Sequence, residues 1–588
     1  MQPAENDVET LKSLFREKRY REVELRATDA LLRARDHGVI WKILGYAQLA
    51  QNKDAQQTLG RALQLLPGDA ELCDNLGTAQ RNAGQREQAL ASFRKAIELM
   101  PMRALSHYNL GAALQDAHQY DEALGAYAKA LELNPNLAEA CNQMGIVKVK
   151  LGRLEEGMHD FQRALQTRPD LLEAYSNLLF YSNYQSSLAP QALFEHAQRF
   201  GAMVARRAEP CTAWPNTREA GRKLKIGLVS GDLRDHPVSF FLDSTLAALA
   251  AQTPARLDII VYATQPKEDA ETQRIKAHCS SWRVVAHLSD AQFAEQVRAD
   301  GIDVLLDLAG HTGWNRLPAF AWKPAPVQVS WLGYVGTTGL REMDYLLADR
   351  WTVPASEERY YTEAIWRLPD ALACFTAPRF DIPVGPLPVR QHGNFTFGCF
   401  NNLNKLNDGV LALWSRLLAQ LPGSRLLLNS RQLANDYTRR DLLQRFASHG
   451  IGAERLILEC LASRELSLAA YNRVDIALDP FPYAGGTTTV EALWMGVPVL
   501  SMAGQRYAGH LGESYLHNAG LSDWIACDAQ AYLALALRHA SDVEALASLR
   551  AGLRDRVLAS PVYDAKRYAA SLEQALRAMW HRWCEAGQ

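Results

Sequence analysis

The hydrophobic pattern of this chain changes character twice. Up to Leu179 the small, aromatic and proline positions recur in a 34-residue step: Pro67, Pro101, Pro135 and Pro169; Gly77, Gly111 and Gly145; Phe93, Tyr127 and Phe161; Ala96, Ala130 and Ala164. Small residues let paired helices approach, aromatic rings fill the space between them and each proline closes a unit, so the period predicts helix–turn–helix pairs stacked in a row. After Leu179 the period fails. FYSNYQSSLAPQ leads to an alanine-rich helix near 191–207, and EPCTAWPNTREAGRK follows with the composition of a linker. From Lys225 the texture becomes short β-branched runs between helical segments. KIGLVS (225–230), LDIIVYA (257–263), WRVV (282–285), IDVLLDL (302–308), PVQVSWLG (326–333) and MDYLLAD (343–349) predict one parallel sheet. FTFGCF (395–400), SRLLLN (424–429), RLILE (455–459), VDIALD (474–479) and VPVLS (497–501) predict a second, with the proline-rich FDIPVGPLPVRQ (380–391) as a hinge between them.

A helical hairpin repeating at 34 residues is the tetratricopeptide pattern. The unit from Trp41 to Pro67 is shortened between Gly45 and Ala62, and residues 8–35 read as a degenerate cap, which leaves a short solenoid. Asn75, Asn109, Gln143 and Asn177 keep the same step on the first helix of each pair. First helices line the concave face of such solenoids, where a row of amides can hydrogen-bond the backbone of an extended peptide; the alternative is that they only cap or solvate that face. The expected organisation is an α-solenoid over 1–207, a linker over 208–223, a first α/β lobe over 224–380 and a second over 381–588 that carries the C-terminal helices. Two Rossmann-like lobes facing each other make a cleft, because ligands bind beyond the carboxyl ends of parallel strands.

Composition narrows the function without choosing it. A chain of 588 residues with 48% hydrophobic content holds several domains. A net charge of −2 leaves no global basic field to recruit nucleic acid or a membrane surface. Nine scattered cysteines with no C-x-x-C argue against zinc ribbons and disulfide frameworks and for a reducing compartment. The opening MQPAENDVETLKSLFREKRYR is acidic, then amphipathic, unlike a signal peptide, and no run of 18 apolar residues occurs. The expectation is a soluble, cytoplasmic protein.

Candidate chemistry gathers at 474–501, VDIALDPFPYAGGTTTVEALWMGVPVLS, which predicts strand, glycine turn, helix and strand. Thr487, Thr488 and Thr489 open the helix, which ends near Gly496 ahead of Pro498. Its unpaired N–H groups and partial positive charge suit a phosphate, and Gly485-Gly486 allows close approach to the backbone. Glu491, one turn in, can accept hydrogen bonds from ribose hydroxyls, although Thr488-x-x-Glu491 also reads as a capping box. There is no G-x-x-x-x-G-K-[ST], no G-x-G-x-x-G and no D-x-D, so protein cations rather than a metal are expected to neutralise a diphosphate, and no cofactor is expected. Lys405, with Asn401 and Asn402, follows the strand FTFGCF; Asp232, Arg234, Asp235 and His236 follow KIGLVS; His311 follows IDVLLDL; and PVQVSWLGYVGTTG ends in a glycine-rich loop. A histidine at a cleft mouth is a candidate base or donor.

GLVSGDLRDHPV, PAPVQVSWLGYVGTTG, FNNLNKLN and GGTTTVEALWMGVPV together resemble the protein O-linked N-acetylglucosamine transferases, SPINDLY-like members included. The resemblance covers nearly the whole chain. It implies a tetratricopeptide α-solenoid followed by two Rossmann-like α/β lobes of GT-B type, without an insert between them, as in a compact bacterial homologue. By the same resemblance Lys405 contacts the diphosphate, Asn402 is its neighbouring amide, Thr487 and Thr488 bind phosphate and Glu491 holds the ribose. Ala462 and Arg464 fall where the base is held, His236 matches a cleft histidine suggested as base, and Leu332 and Gly333 fall near the sugar. The sequence departs from the family pattern at Glu491, usually aspartate, at Gly486, histidine in animal members, and at Val335, usually proline; the last two bear on sugar choice. The implied activity is inverting transfer of N-acetylglucosamine from UDP-GlcNAc to Ser/Thr hydroxyls of proteins held in the groove and cleft, with a homodimer as a further possibility. The alternatives are O-fucosylation from GDP-fucose, N-glucosylation from UDP-glucose, and, in another class, a tetratricopeptide scaffold with vestigial transferase lobes.

Overall fold

The computed structural model describes residues 2–586, which divide into one compact unit ending at Ala174 and another beginning at Tyr175. The first is built of antiparallel helix pairs, among them Ala70–Asn82 with Arg86–Leu99, Ala104–Asp116 with Tyr120–Leu133, and Ala138–Lys150 with Leu154–Thr167. The repeated glycine and aromatic positions explain each crossing: a Cβ on Gly77, Gly111 or Gly145 would stand 2.7 Å from the ring of Phe93, Tyr127 or Phe161. The degenerate cap is itself a helix pair, Gln2–Arg16 with Tyr20–Arg33, closed by Leu11, Val23 and Ala27.

The second unit opens with the end of the helix Leu172–Ser182 and the helix Pro190–Ala205, then forms two sheets in which every pairing is parallel. The first sheet holds β1 (Leu224–Ser230), β2 (Leu257–Ala263), β3 (Ser281–Val284), β4 (Val304–Asp307), β5 (Val327–Ser330), β6 (Tyr345–Ala348) and β7 (Ala364–Arg367), in the order β3-β2-β1-β4-β5-β6-β7. The second holds β8 (Thr396–Cys399), β9 (Arg425–Asn429), β10 (Leu456–Glu459), β11 (Ile476–Leu478), β12 (Val499–Met502) and β13 (Ile525–Ala526), in the order β10-β9-β8-β11-β12-β13. Strand direction of winding reverses between β1 and β4 and again between β8 and β11, and such switch points are where open parallel sheets bind ligands. Two edge strands escape the sequence pattern for a physical reason: β7 is exposed at Ala364 and only half-buried beyond it, and β13 spans two residues.

The last helix, Ala565–Glu585, departs from the expected grouping with the second lobe. Its stripe of Tyr568, Leu572, Leu576, Met579 and Trp580 completes the core of the first, against Leu224, Leu228, Leu242 and Val304. The chain therefore crosses between lobes twice, and a single boundary at 381 describes only the first crossing. Among the described residues no helix is long and apolar enough to cross a membrane.

Charge also clasps the lobes. His510, on the helix Tyr507–Asn518, has Nδ1 2.7 Å from Glu513 Oε2 and Nε2 3.0 Å from Glu357 Oε1 in the 3-10 helix Ala355–Tyr360 of the first lobe. Burial opposes the charged ring, but the hydrogen bonds to Glu357 and Glu513 outweigh it and raise the pKa to about 9. A folded-state pKa above the unfolded value adds stability that is complete below the ordinary histidine value of about 6.5 and is lost as pH rises through the folded pKa. Scanning calorimetry is therefore expected to show the wild-type Tm falling more steeply than that of His510→Gln as pH rises through about 9. Parallel curves would show that the clasp does not contribute to stability.

Candidate functional site

A cleft of about 380 Å³ opens between the lobes at the carboxyl ends of both sheets, lined by His236 and Phe240 on one side and by Asn402, Arg464, Thr487, Thr488 and Glu491 on the other. Its floor is set by the turn after β11. Asp479 is 1% exposed; its Oδ1 accepts from the Gly485 N–H at 2.6 Å and its Oδ2 from Ser501 Oγ at 2.7 Å. Gly485 is required there, since a Cβ would stand 2.4 Å from Thr489 Oγ1 and 2.8 Å from Asp479 Oδ1. Burial raises the Asp479 pKa to about 6, against the pull of the Ser501 hydroxyl and the Lys405 charge.

The turn delivers the helix Thr487–Trp494, whose N-cap, Gly486, has no side chain to satisfy the first N–H groups. The capping-box reading is not realised. Thr488 Oγ1 instead donates to Asn401 Oδ1 at 3.0 Å, and Glu491 Oε1 accepts from Arg464 Nε at 2.7 Å. The helix start therefore faces the cleft with its dipole uncompensated by a cap. Arg464 also lies over the Phe240 ring at 3.6 Å, so one guanidinium joins the lobes beside Glu491, whose pKa burial raises while Arg464 holds it down.

Lys405 closes the short helix Leu403–Lys405 after β8. Its Nζ donates to Asn401 Oδ1 at 3.0 Å and to the Ala484 carbonyl at 2.7 Å, and stands 4.2 Å from the centre of the Tyr483 ring. Burial lowers its pKa to about 8, with Asp479 opposing. The ammonium is thus charged at neutral pH, costly to keep charged, and one side chain away from the Thr488 hydroxyl through Asn401. An anion at the helix start would relieve that cost.

His236 caps the helix Pro237–Ala250: its Nδ1 accepts from the Val238 N–H at 3.3 Å, and its Nε2 is 3.8 Å from Asp232 Oδ1. A neutral ring whose Nδ1 accepts carries its proton on Nε2 and presents a donor there. Burial lowers its pKa, with Asp232 opposing, so the neutral ring prevails at neutral pH.

Of the other residues singled out in the sequence, Asn402 lines the cleft while its side chain accepts from the Asn404 N–H at 3.0 Å. Ala462 does not line it, although its neighbours Leu461 and Ser463 do. Gly486 stands just before the lining threonines, with no atom nearer than 3.9 Å to a Cβ placed on it. Leu332 and Gly333 lie in the loop after β5, outside the lining; Gly333 is required by packing, since a Cβ would be 2.0 Å from the Leu308 carbonyl oxygen. His311 is buried, between Ser176 Oγ at 3.1 Å and the Thr338 carbonyl at 3.1 Å. Sequence reasoning missed Asn429 and Gln432, which also line the cleft. Asn429 Oδ1 accepts from the Leu461 N–H at 3.2 Å, and Gln432 Oε1 accepts from the Leu403 N–H at 2.7 Å. Their position at the end of SRLLLN was the available signal.

In the first unit the amide row is locally engaged. Asn75 donates to the Glu71 carbonyl at 2.9 Å, Asn109 bonds the Asp74 carboxyl, and Gln143 donates to Glu173 Oε1 at 3.4 Å. Asn177 stands in the second unit, on the helix Leu172–Ser182. Among the described residues no group of three or more His, Cys, Asp or Glu side chains is placed to hold a metal ion.

The chain matches the model of glycosyl transferase family 41 over residues 201–375 and 391–572, and tetratricopeptide repeat models over 70–101, 104–137 and 138–171. It is 35% identical over 414 residues to the probable UDP-N-acetylglucosamine-peptide N-acetylglucosaminyltransferase SPINDLY of Petunia hybrida, covering 70% of this chain and 44% of that protein. The corresponding Arabidopsis thaliana protein is 36% identical, over 70% of this chain and 45% of its own length. The chain thus spans less than half the length of these curated relatives. Among solved structures, an O-GlcNAc transferase mutant of Thermobaculum terrenum superposes with a TM-score of 0.83 at 34% identity, covering 88% of this chain and 98% of that one. With a tetratricopeptide unit, two parallel α/β lobes and a match to the family model across both lobes, the chain belongs to glycosyl transferase family 41.

Proposed function

We propose that this chain transfers N-acetylglucosamine from UDP-GlcNAc to Ser/Thr hydroxyls of protein acceptors, with inversion at the sugar. The observation that carries the reading is the convergence, at the β8/β11 switch point of the second sheet, of an uncapped helix start at Thr487 with the Lys405 ammonium behind it and the Glu491 carboxylate beside it. That set suits a nucleoside diphosphate: N–H groups and a cation for phosphate, a carboxylate for ribose. The relatives' names supply the sugar. In a single displacement the acceptor oxygen attacks the anomeric carbon from the face opposite the diphosphate. The new C–O bond forms as the bond to the diphosphate oxygen breaks, and the hydroxyl proton leaves to a diphosphate oxygen or solvent. Lys405 and the helix start take up the charge gained by the leaving group.

Calorimetry with UDP, UDP-GlcNAc, UDP-glucose, GDP and GDP-fucose tests the donor. UDP-GlcNAc is expected to bind, and labelled sugar is expected on protein hydroxyls; binding of none of the five would leave only a scaffold role, and a preference for GDP would turn the reading to fucosyl transfer. Transfer is also expected to persist in excess chelator, since the diphosphate charge is met by Lys405 and backbone N–H groups. Loss in chelator restored by Mn²⁺ or Mg²⁺ would overturn that.

The solenoid amides are proposed to grip acceptor backbone. Replacing Asn75 and Asn109 with Ala is expected to raise KM for whole protein acceptors by about tenfold, from roughly 1 kcal/mol per hydrogen bond with partial compensation by water. Short peptides and UDP should be nearly unaffected. Equal losses for protein and peptide would mark the change as structural.

A further inference from the structure

We propose that Tyr483 is a positioning residue for Lys405, and that residues 180–184 hold the Tyr483 ring in place. The inference rests on the transferase reading above and deepens it. Two protons of the Lys405 ammonium go to Asn401 Oδ1 and the Ala484 carbonyl, at 3.0 and 2.7 Å. Over the Tyr483 ring the same nitrogen stands 4.2 Å from the centroid, within cation–π range. A lysine on a four-carbon stem is a mobile point charge, and transition-state stabilisation needs it fixed to within a fraction of an ångström. A ring face suits that task better than a carboxylate would: it attracts the cation and excludes water from that side, yet leaves its charge unneutralised for the leaving diphosphate.

The ring in turn is braced. Tyr184, 5% exposed, lies 4.8 Å from Tyr483 and packs on Phe180 at 5.9 Å and Tyr181 at 5.8 Å. The neighbouring Asn183 donates to the Tyr334 hydroxyl at 3.2 Å, in the loop after β5. Arg506 of the second lobe donates to the Leu188 carbonyl at 3.3 Å and to the Gln185 carbonyl. The segment that backs Tyr483 is therefore pinned to both lobes, and through Tyr184 it packs against the ring that faces Lys405.

The test compares Tyr483→Phe, Tyr483→Leu, Tyr184→Ala and the double variant Tyr184→Ala/Tyr483→Leu. Tyr483→Leu is expected to lower kcat about tenfold with the donor KM and UDP affinity within about twofold of wild type, Tyr483→Phe to retain wild-type kcat, and the double variant to lose no more than Tyr483→Leu alone. Removing the ring while keeping apolar bulk should also lower the Lys405 pKa in Tyr483→Leu and leave it in Tyr483→Phe. NMR titration of the protein carrying ¹³C-methylated lysines, with Lys405→Arg assigning the resonance, reads that shift without turnover. An unshifted Lys405 resonance in Tyr483→Leu, a Phe variant as impaired as Leu, or parallel losses of kcat and UDP affinity would each overturn the proposal. A wild-type protein that transfers no sugar while the resonance shifts as expected would instead overturn the transferase reading and leave the positioning intact.

Discussion

Lys405→Ala is expected to slow sugar transfer by about 10²–10³, equivalent to roughly 3–4 kcal/mol, while UDP still binds. The leaving diphosphate gains negative charge as the glycosidic bond breaks, so a cation fixed beside it is worth more in the transition state than in the ground state. Lys405 fits that role because its charge is already under strain: burial brings its pKa down to about 8, and its two hydrogen bonds go to neutral oxygens rather than to a carboxylate. In the proposed role it is the protonated form that acts, so kcat/KM should fall as pH rises through about 8, and this alkaline limb should be absent in Lys405→Ala. Lys405→Arg keeps the charge and moves the limb out of range, but its planar fork cannot reproduce the geometry of a point charge, so only part of the rate should return. Near-full turnover in Lys405→Ala, with the nucleotide bound, would remove Lys405 from the chemistry.

His236→Ala is expected to lower turnover by about 10²-fold, and His236→Gln to recover a large part of it. The reason lies in the ring's tautomer. With Nδ1 accepting from the Val238 N–H, the proton sits on Nε2, and the ring offers the cleft a donor rather than an acceptor. A glutamine side chain can place an N–H close to the Nε2 position but cannot take a proton from the acceptor hydroxyl. Rescue by Gln therefore distinguishes a histidine that orients substrate from one that serves as base. Failure of Gln to rescue, together with loss of an acidic limb from the pH–rate profile in both variants, would restore the base assignment. Because burial lowers the His236 pKa, any such limb in the wild type should lie below the ordinary histidine range.

Most of what the chain determines locally was legible in order along it. The 34-residue step announced the helix pairs, because the glycine and the aromatic ring that meet at each crossing lie only 16 residues apart and recur together, as Gly77 and Phe93 do. The apolar runs ending at Ser230, Cys399 and Leu478 announced buried parallel strands, and the residues just beyond them were the natural candidates for a site. Short-range period and composition are properties of neighbours, so they survive without knowledge of the fold.

What only the tertiary structure decided is which distant groups meet, since topology and not spacing sets those distances. Thr488 and Glu491 compose a capping box on paper, yet Asn401 and Arg464, 87 and 27 residues away, take their hydrogen bonds and leave the helix start facing the cleft. Lys405 stood at a strand end with nothing to set its pKa until the fold buried it beside Asp479 and laid the Tyr483 ring against it. The helix Ala565–Glu585 carries an apolar stripe that any sheet could cover, and only the path of the chain sends it back to the first lobe rather than the second. A hydrophobic stripe specifies that it must be buried and not against what; a polar group specifies that it must be paired and not with whom. Those choices are made by the packing of whole elements, where each partner is selected from everything the fold brings within reach.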